Sequence, residues 1–324
     1  MSFQMGPRVL VIKAKGGFGN RILSAATGIV LAELTHRVPV IDWRDGMYLP
    51  VGVNAYPLLF EPQHTITAEE LDARTDVAPT IWSGRLAEHP VHMVDRFYPN
   101  SHSSPFVYRK LSINPKHPVV PQDVAVFWSY LPKFARLPAQ FRGSTRSRRS
   151  SPEAVVREVL STHFRPNTRV RATVAELFRN RNRPIIGVHI RYTDRRAPLD
   201  RIVEEMRRLR RRIPQASIFL ATDNGDVQAQ ISATFDNLFV IEKRLGNTAS
   251  ALHVDVDSAD PLGEAENALI DMWALSSCDW LIHSQHSTFS VAAALIGAIP
   301  ADRQIDVDRH NPRVVLKRWF QAYA

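Results

Sequence analysis

The 324-residue sequence predicts an α/β protein of two Rossmann-like domains, on three observations. The chain opens with a strand, a glycine turn, a helix and a second strand. Its second half alternates short apolar runs with helix-period segments, the spacing of right-handed crossovers in a parallel sheet. Hydrophobic residues make up 44% and charged residues 23%, a balance that builds cores and excludes a disordered or collagen-like chain.

In the opening stretch "RVLVIKAKGGFGNRILSAATGIVLAELTHRVPVIDW", Val9 to Ile12 are β-branched or apolar and read as a strand, while Ile22 to Leu34 carry apolar residues at helical period. Together they form a βαβ unit. Residues 50–120 are rich in proline and histidine, with only short strand-like runs such as "VHMVDRFY", and are expected to be largely irregular. "DVAVFWSYLP" is a clearer strand. The polar, basic text "RGSTRSRRSS" at 142–151 reads as an exposed loop near a change of domain. We assign residues 1–165 to an N-terminal domain and 166–324 to a C-terminal one, whose last helix is expected to pack back on the first.

After the basic loop, "SPEAVVREVLSTHF" starts a helix with serine as cap and proline in the first turn, and a second helical pattern covers Val170 to Phe178. Strands then follow at "PIIGVHI", "ASIFLAT", "NLFVI" and "DWLIH". Helices fall between and after them at "LDRIVEEMRRLRRR", "GDVQAQISATF", "EAENALIDMWALSS" and "TFSVAAALIG".

The formal charge of +9 favours anionic partners without choosing among them. Cys278 is the single cysteine, so an intrachain disulfide and a cysteine-rich zinc site are excluded, and a reducing cytoplasm fits. The N-terminal apolar run is too short for a signal-peptide core, and no stretch is long enough for a membrane span. The twelve histidines include no HExxH, and no GxSxG occurs, so neither a metal nor a nucleophilic serine is expected.

Ligands of open parallel sheets bind beyond the carboxyl ends of the strands. Three predicted strands end in His189 and Arg191, in Thr222 and Asp223, and in Ser284 to Thr288. Arg191 suits a phosphate through two parallel hydrogen bonds, or pairs with Asp194 at the surface. "SQHSTFS" puts hydroxyls before an apolar helix, where they hold a pyrophosphate or merely cap the helix through Ser284 or Ser287. Asp271 lies among Leu269, Ile270, Met272 and Trp273, so its carboxylate needs donors, either a base such as guanine or a structural ion pair. "GGFGNR" at 16–21 is a glycine turn that lets a ligand approach Gly17 and Gly19, yet it lacks the third glycine of GxGxxG. "MRRLRRR" at 206–212 reads as a nucleic-acid patch or, with Met206 and Leu209 inward, as a solvated helix face.

Four stretches carry a family likeness: "VIDWRDGMYLPVGVNAYPLLFEP", "IIGVHIRYTDRR", "IFLATDNGDVQ" and "ALIDMWALSSCDWLIHSQHSTFS". In order and spacing the chain resembles the NodZ-like α-1,6-fucosyltransferases and, more distantly, the eukaryotic core α-1,6-fucosyltransferases. The resemblance implies a two-Rossmann, GT-B type glycosyltransferase that binds GDP-β-L-fucose mainly in its second domain and needs no cofactor. It implies guanine contacts from His189 and Asp271, a β-phosphate contact from Arg191, and pyrophosphate contacts from Ser287 and Thr288. It also implies an acid in the loop after the arginine. The equivalent of the core enzymes' glutamate falls at Leu199, so Asp200 beside it is the expected base, with Asp194 as rival. Tyr192 replaces a frequent second arginine, and Arg195 replaces the core enzymes' lysine.

The expected activity is inverting transfer of fucose to a GlcNAc-containing oligosaccharide, in α-1,6 linkage on a chitooligosaccharide or lipochitooligosaccharide. Two rivals stand beside it: a GDP-sugar transferase with another acceptor, and a basic nucleic-acid-binding protein. The first reading expects no nucleic-acid partner.

Overall fold

The computed structural model describes residues 7–101, 104–129, 136–137, 152–193, 197–246, 259–309 and 311–316. They belong to two compact units, one running to Arg165 and the other starting at Pro166.

The first unit carries β1 (Val9–Lys13), α1 (Phe18–Leu34), β2 (Val38–Asp42), α2 (Ala55–Leu59), β3 (Val77–Ala78), α3 (Pro90–Phe97), α4 (Pro105–Lys110), β4 (Val124–Trp128) and α5 (Pro152–His163). Its strands form a parallel sheet in the order β2-β1-β4-β3. Every residue of β1 and β4 is buried, as expected of central parallel strands covered on both faces. Helix α1 lies so close to this sheet that a Cβ on Gly28 would stand 2.9 Å from both Ile12 and Phe127. That contact explains a glycine in mid-helix, where it otherwise costs about 1 kcal/mol against alanine.

The region 50–120 holds more helix than its sequence suggests. "VHMVDRFY" lies in α3, not in a strand. His89 caps that helix by accepting the Val91 N–H, and Pro90 occupies the first turn. Pro90, Met93 and Val94 then face inward at helical spacing, and burial of that stripe outweighs the local alternation.

The second unit carries α6 (Thr168–Phe178), β5 (Ile185–Ile190), α7 (Leu199–Arg212), β6 (Ser217–Thr222), α8 (Gly225–Thr234), β7 (Leu238–Phe239), α9 (Pro261–Ser276), β8 (Trp280–His283), α10 (Thr288–Ile296) and β9 (Gln304–Asp306). All pairings in its sheet are parallel, in the order β7-β6-β5-β8-β9. The chain builds outward from β5 in one direction and then restarts at β8 in the other. The topological switch point therefore lies between the carboxyl ends of β5 and β8, where connections diverge and leave a crevice.

On α7, Ile202, Met206 and Leu209 are buried in the core with β5 and β6. Each contributes about 1.5–3 kcal/mol through burial. Arg207, Arg208, Arg211 and Arg212 stay exposed, so "MRRLRRR" is the outer face of an amphipathic helix. Among the described residues no helix is long and apolar enough to cross a membrane. The basic stretch 142–151 and the chain end 317–324 lie outside the described residues.

Candidate active site

At the switch point His189, the penultimate residue of β5, stacks its ring on Phe289 of α10 with centroids 5.2 Å apart and planes 18° from parallel. Burial lowers its pKa from the usual 6.5 to about 3, helped by the nearby positive charge of Arg191 and Lys243 and by His283. The imidazole is therefore neutral at any physiological pH. His283, fully buried at the end of β8, sets Nδ1 3.0 Å from the Ser290 hydroxyl and so ties β8 to α10.

Arg191 is the first residue beyond β5 and is partly buried. The following turn is fastened from β6: Asp223 accepts the Tyr192 N–H and the Thr193 hydroxyl, each at 2.7 Å. Asp223, a predicted ligand contact, thus spends both oxygens on the loop that bears Arg191. The loop closes where the Ala197 N–H meets the Arg191 carbonyl at 3.0 Å.

Asp271 sits in α9 among buried neighbours, its side chain only 6% exposed. Oδ2 accepts from Lys243 Nζ, whose side chain is 12% exposed. Oδ1, also buried, finds no hydrogen-bond partner among the described residues. Burial raises the carboxyl pKa, Asp223 adds to that rise, and Lys243 opposes it. One oxygen thus makes an ion pair, and the other is left as an open acceptor.

Ser287 holds the N-cap position of α10 but caps nothing with its side chain. Its Oγ is buried without a partner among the described residues. Ser284 instead donates to Asp308 and accepts the His286 N–H at 3.1 Å. Simple capping therefore does not account for "SQHS". Thr288 starts the first turn, where backbone N–H groups and the helix dipole favour an anion.

Asp200 is exposed in the first turn of α7, and Asp194 lies outside the described residues. Among the described residues no group of three or more His, Cys, Asp or Glu is arranged to hold a metal ion. The structure thus gathers His189, Arg191, Asp271, Ser287 and Thr288 around one crevice, with Asp223 bracing its wall. Lys243 and Phe289 belong to it as well, without any local sequence signal.

Gly17 and Gly19 belong to the first unit, at the carboxyl end of β1. Gly16 is the member of the turn with positive φ, 78°, while Gly17 is the extended N-cap of α1 and Gly19 lies buried within it. The turn is clamped. Arg21 Nε donates to the Gly16 carbonyl at 2.6 Å, and Arg21 also pairs with Asp45. The Phe18 N–H donates to the Tyr48 hydroxyl at 2.8 Å, and the two rings stack at 3.8 Å. His89 completes this buried group, with Nε2 3.3 Å from Asp45 and Nδ1 accepting from Val91.

Known proteins resemble this chain in sequence and in fold. The Nodulation protein Z of Bradyrhizobium diazoefficiens is 25% identical over 95% of this chain and 84% of its own. That of Azorhizobium caulinodans is 25% identical over 93% and 92%. A crystal structure of NodZ alpha-1,6-fucosyltransferase soaked with GDP-fucose is similar at a TM-score of 0.63 and 22% identity, over 90% of this chain and 93% of the other. At that identity the likeness carries the fold, two Rossmann-like units of the GT-B class. The family model described as Nodulation protein Z (NodZ) matches residues 149–321, more than half of the chain and the whole described crevice of the second unit, and the chain belongs to that family.

Proposed function

We propose that this protein is an inverting fucosyltransferase that moves L-fucose from GDP-β-L-fucose to a GlcNAc-containing oligosaccharide, in α-1,6 linkage on a chitooligosaccharide or lipochitooligosaccharide. The observation that carries the reading is Asp271 Oδ1, a buried acceptor without a partner among the described residues, in the same crevice as neutral His189 and the Arg191 loop. A carboxylate there accepts the two adjacent N–H donors of guanine. The name of the solved relative, a NodZ alpha-1,6-fucosyltransferase soaked with GDP-fucose, supports the choice of donor.

In this mechanism the bond between fucose C1 and the β-phosphate oxygen breaks as the acceptor hydroxyl attacks from the opposite face. The electron pair leaves with GDP. Arg191 meets the growing charge on the β-phosphate with its planar fork, a contact stronger in the transition state than in the ground state. Ser287 and Thr288 hold the pyrophosphate at the start of α10. The acceptor proton passes to a carboxylate as C1 becomes cation-like; we assign Asp200, with Asp194 as the rival. Donor binding belongs to the second unit and acceptor binding to the first.

Labelled GDP-fucose with a panel of chitooligosaccharides tests the reading, with linkage and anomeric configuration of the product read by NMR. The expected product carries α-1,6-fucose on GlcNAc, and GDP should raise the melting temperature. Absence of transfer to every acceptor, with no thermal shift from GDP, sinks it.

A further inference from the structure

Lys243 stands in the irregular segment after β7 and Asp271 in the long helix α9. A lysine ammonium is buried against one oxygen of a carboxylate whose other oxygen is open. Lys243 also lies close enough to His189 to act on its ionisation, so the pair stands in the crevice.

We infer that Lys243 determines base specificity by keeping Asp271 ionised, so that the carboxylate accepts the paired N–H donors of guanine and rejects adenine. This rests on the donor reading above. The argument is one of proton counting. An ionised carboxylate is an acceptor only, whereas its protonated form also carries an O–H donor. Guanine presents N–H donors along this edge, and a protonated carboxyl would set donor against donor. Adenine presents an acceptor at the equivalent ring nitrogen, which the protonated form can satisfy. A buried polar site discriminates strongly because the wrong partner leaves its groups unpaired.

Among the described residues no other group supplies this charge balance. Asp223, from the end of β6, is a like charge and works against ionisation. His189 on β5 is neutral, and α10 contributes no titratable side chain. On α9 itself, Glu266 is taken by Asn167 and Arg169, the latter from α6, and Glu264 faces Arg244. Burial favours the protonated acid and holds the carboxyl pKa above its ordinary value even beside Lys243, which limits the rise. With Lys243 removed, the proton should move onto Asp271 at higher pH.

The test compares wild type, Lys243→Met and Lys243→Arg by titration calorimetry with GDP and ADP, between about pH 5.5 and 8. In Lys243→Met, GDP affinity should fall at least about tenfold from the top to the bottom of that range, the effect of about one pKa unit. The loss should set in at higher pH than in wild type. ADP should gain on GDP at low pH, and Lys243→Arg should keep the wild-type profile. A loss of the same size at every pH would mark Lys243 as merely structural and overturn the proposal, as would unchanged binding. The 13C shift of the Asp271 carboxyl, followed without nucleotide, gives a second readout: its midpoint should rise in Lys243→Met, and an unmoved midpoint overturns the proposal. Wild type that ignores GDP while the midpoint still moves would remove the donor reading and its base-recognition consequence, leaving the ionisation of Asp271 by Lys243 supported.

Discussion

Asp223 Oδ2 accepts the Thr193 hydroxyl at 2.7 Å across the ends of β6 and β5, and its Oδ1 takes the neighbouring Tyr192 N–H. The carboxylate therefore acts on the turn that presents Arg191. Asp223→Asn keeps the size and exchanges one acceptor for a donor, which loses one of the two bonds, each worth about 1.5–3 kcal/mol to a charged group. We expect kcat for fucosyl transfer to fall about tenfold, with GDP affinity changed much less. Steady-state kinetics and calorimetry separate the two, and an equal loss in both would assign Asp223 to the donor itself.

Arg191→Ala should lower transfer at least about a hundredfold, the usual scale for losing a donor to developing negative charge. Arg191→Lys should rescue little, since an ammonium cannot form two parallel bonds to phosphate. Single-turnover rates with GDP-fucose check both variants. Activity of Arg191→Ala within a few-fold of wild type would end the assignment.

Buried Arg21 and Asp45 clamp the glycine turn, and they give it a pH signature. Burial alone would raise the Asp45 pKa, but the His89 hydrogen bond and Arg21 outweigh it and bring it down to about 2. Between about 4 and 2 the unfolded chain binds a proton that the folded chain refuses, so stability falls as pH falls through that window. The shift corresponds to about 2 kcal/mol, present at neutral pH. Asp45→Asn removes this dependence and leaves Arg21 buried beside a neutral amide, with an expected loss of about 3–5 kcal/mol. Urea unfolding of wild type and variant, from neutral pH down to about 3, measures both effects.

The parts of this molecule legible in its sequence are those where local pattern and tertiary environment agree. The runs "VLVIK" and, apart from partly buried His189, "IIGVHI" are buried as parallel strands, and the residues just past β5 and β8 mark the crevice. The illegible parts are decided by distant partners. α3 looks strand-like until His89 and Pro90 start a helix whose inner stripe is buried. β9 is three partly buried residues recognisable only from its pairing with β8. Lys243 carries no local signal, because its role is set by a carboxylate 28 positions away.

His189 yields a last prediction, in a separate pH window. Its pKa of about 3 lies far below the usual 6.5 because the stacked ring is buried and has cationic neighbours. In the unfolded chain the same imidazole protonates near 6.5. From there down to about 3 the unfolded state binds more protons, so the folded state loses stability as pH falls. His189→Gln fills much of the same space without titrating, and its melting temperature should decline less steeply than wild type between about pH 6.5 and 4. Calorimetric scans across that interval read the difference, which lies above the range in which Asp45 titrates. Parallel slopes for the two proteins would mean that the imidazole is hydrated and charged in the folded state, and the neutral ring assigned to the base-binding crevice would have to be abandoned.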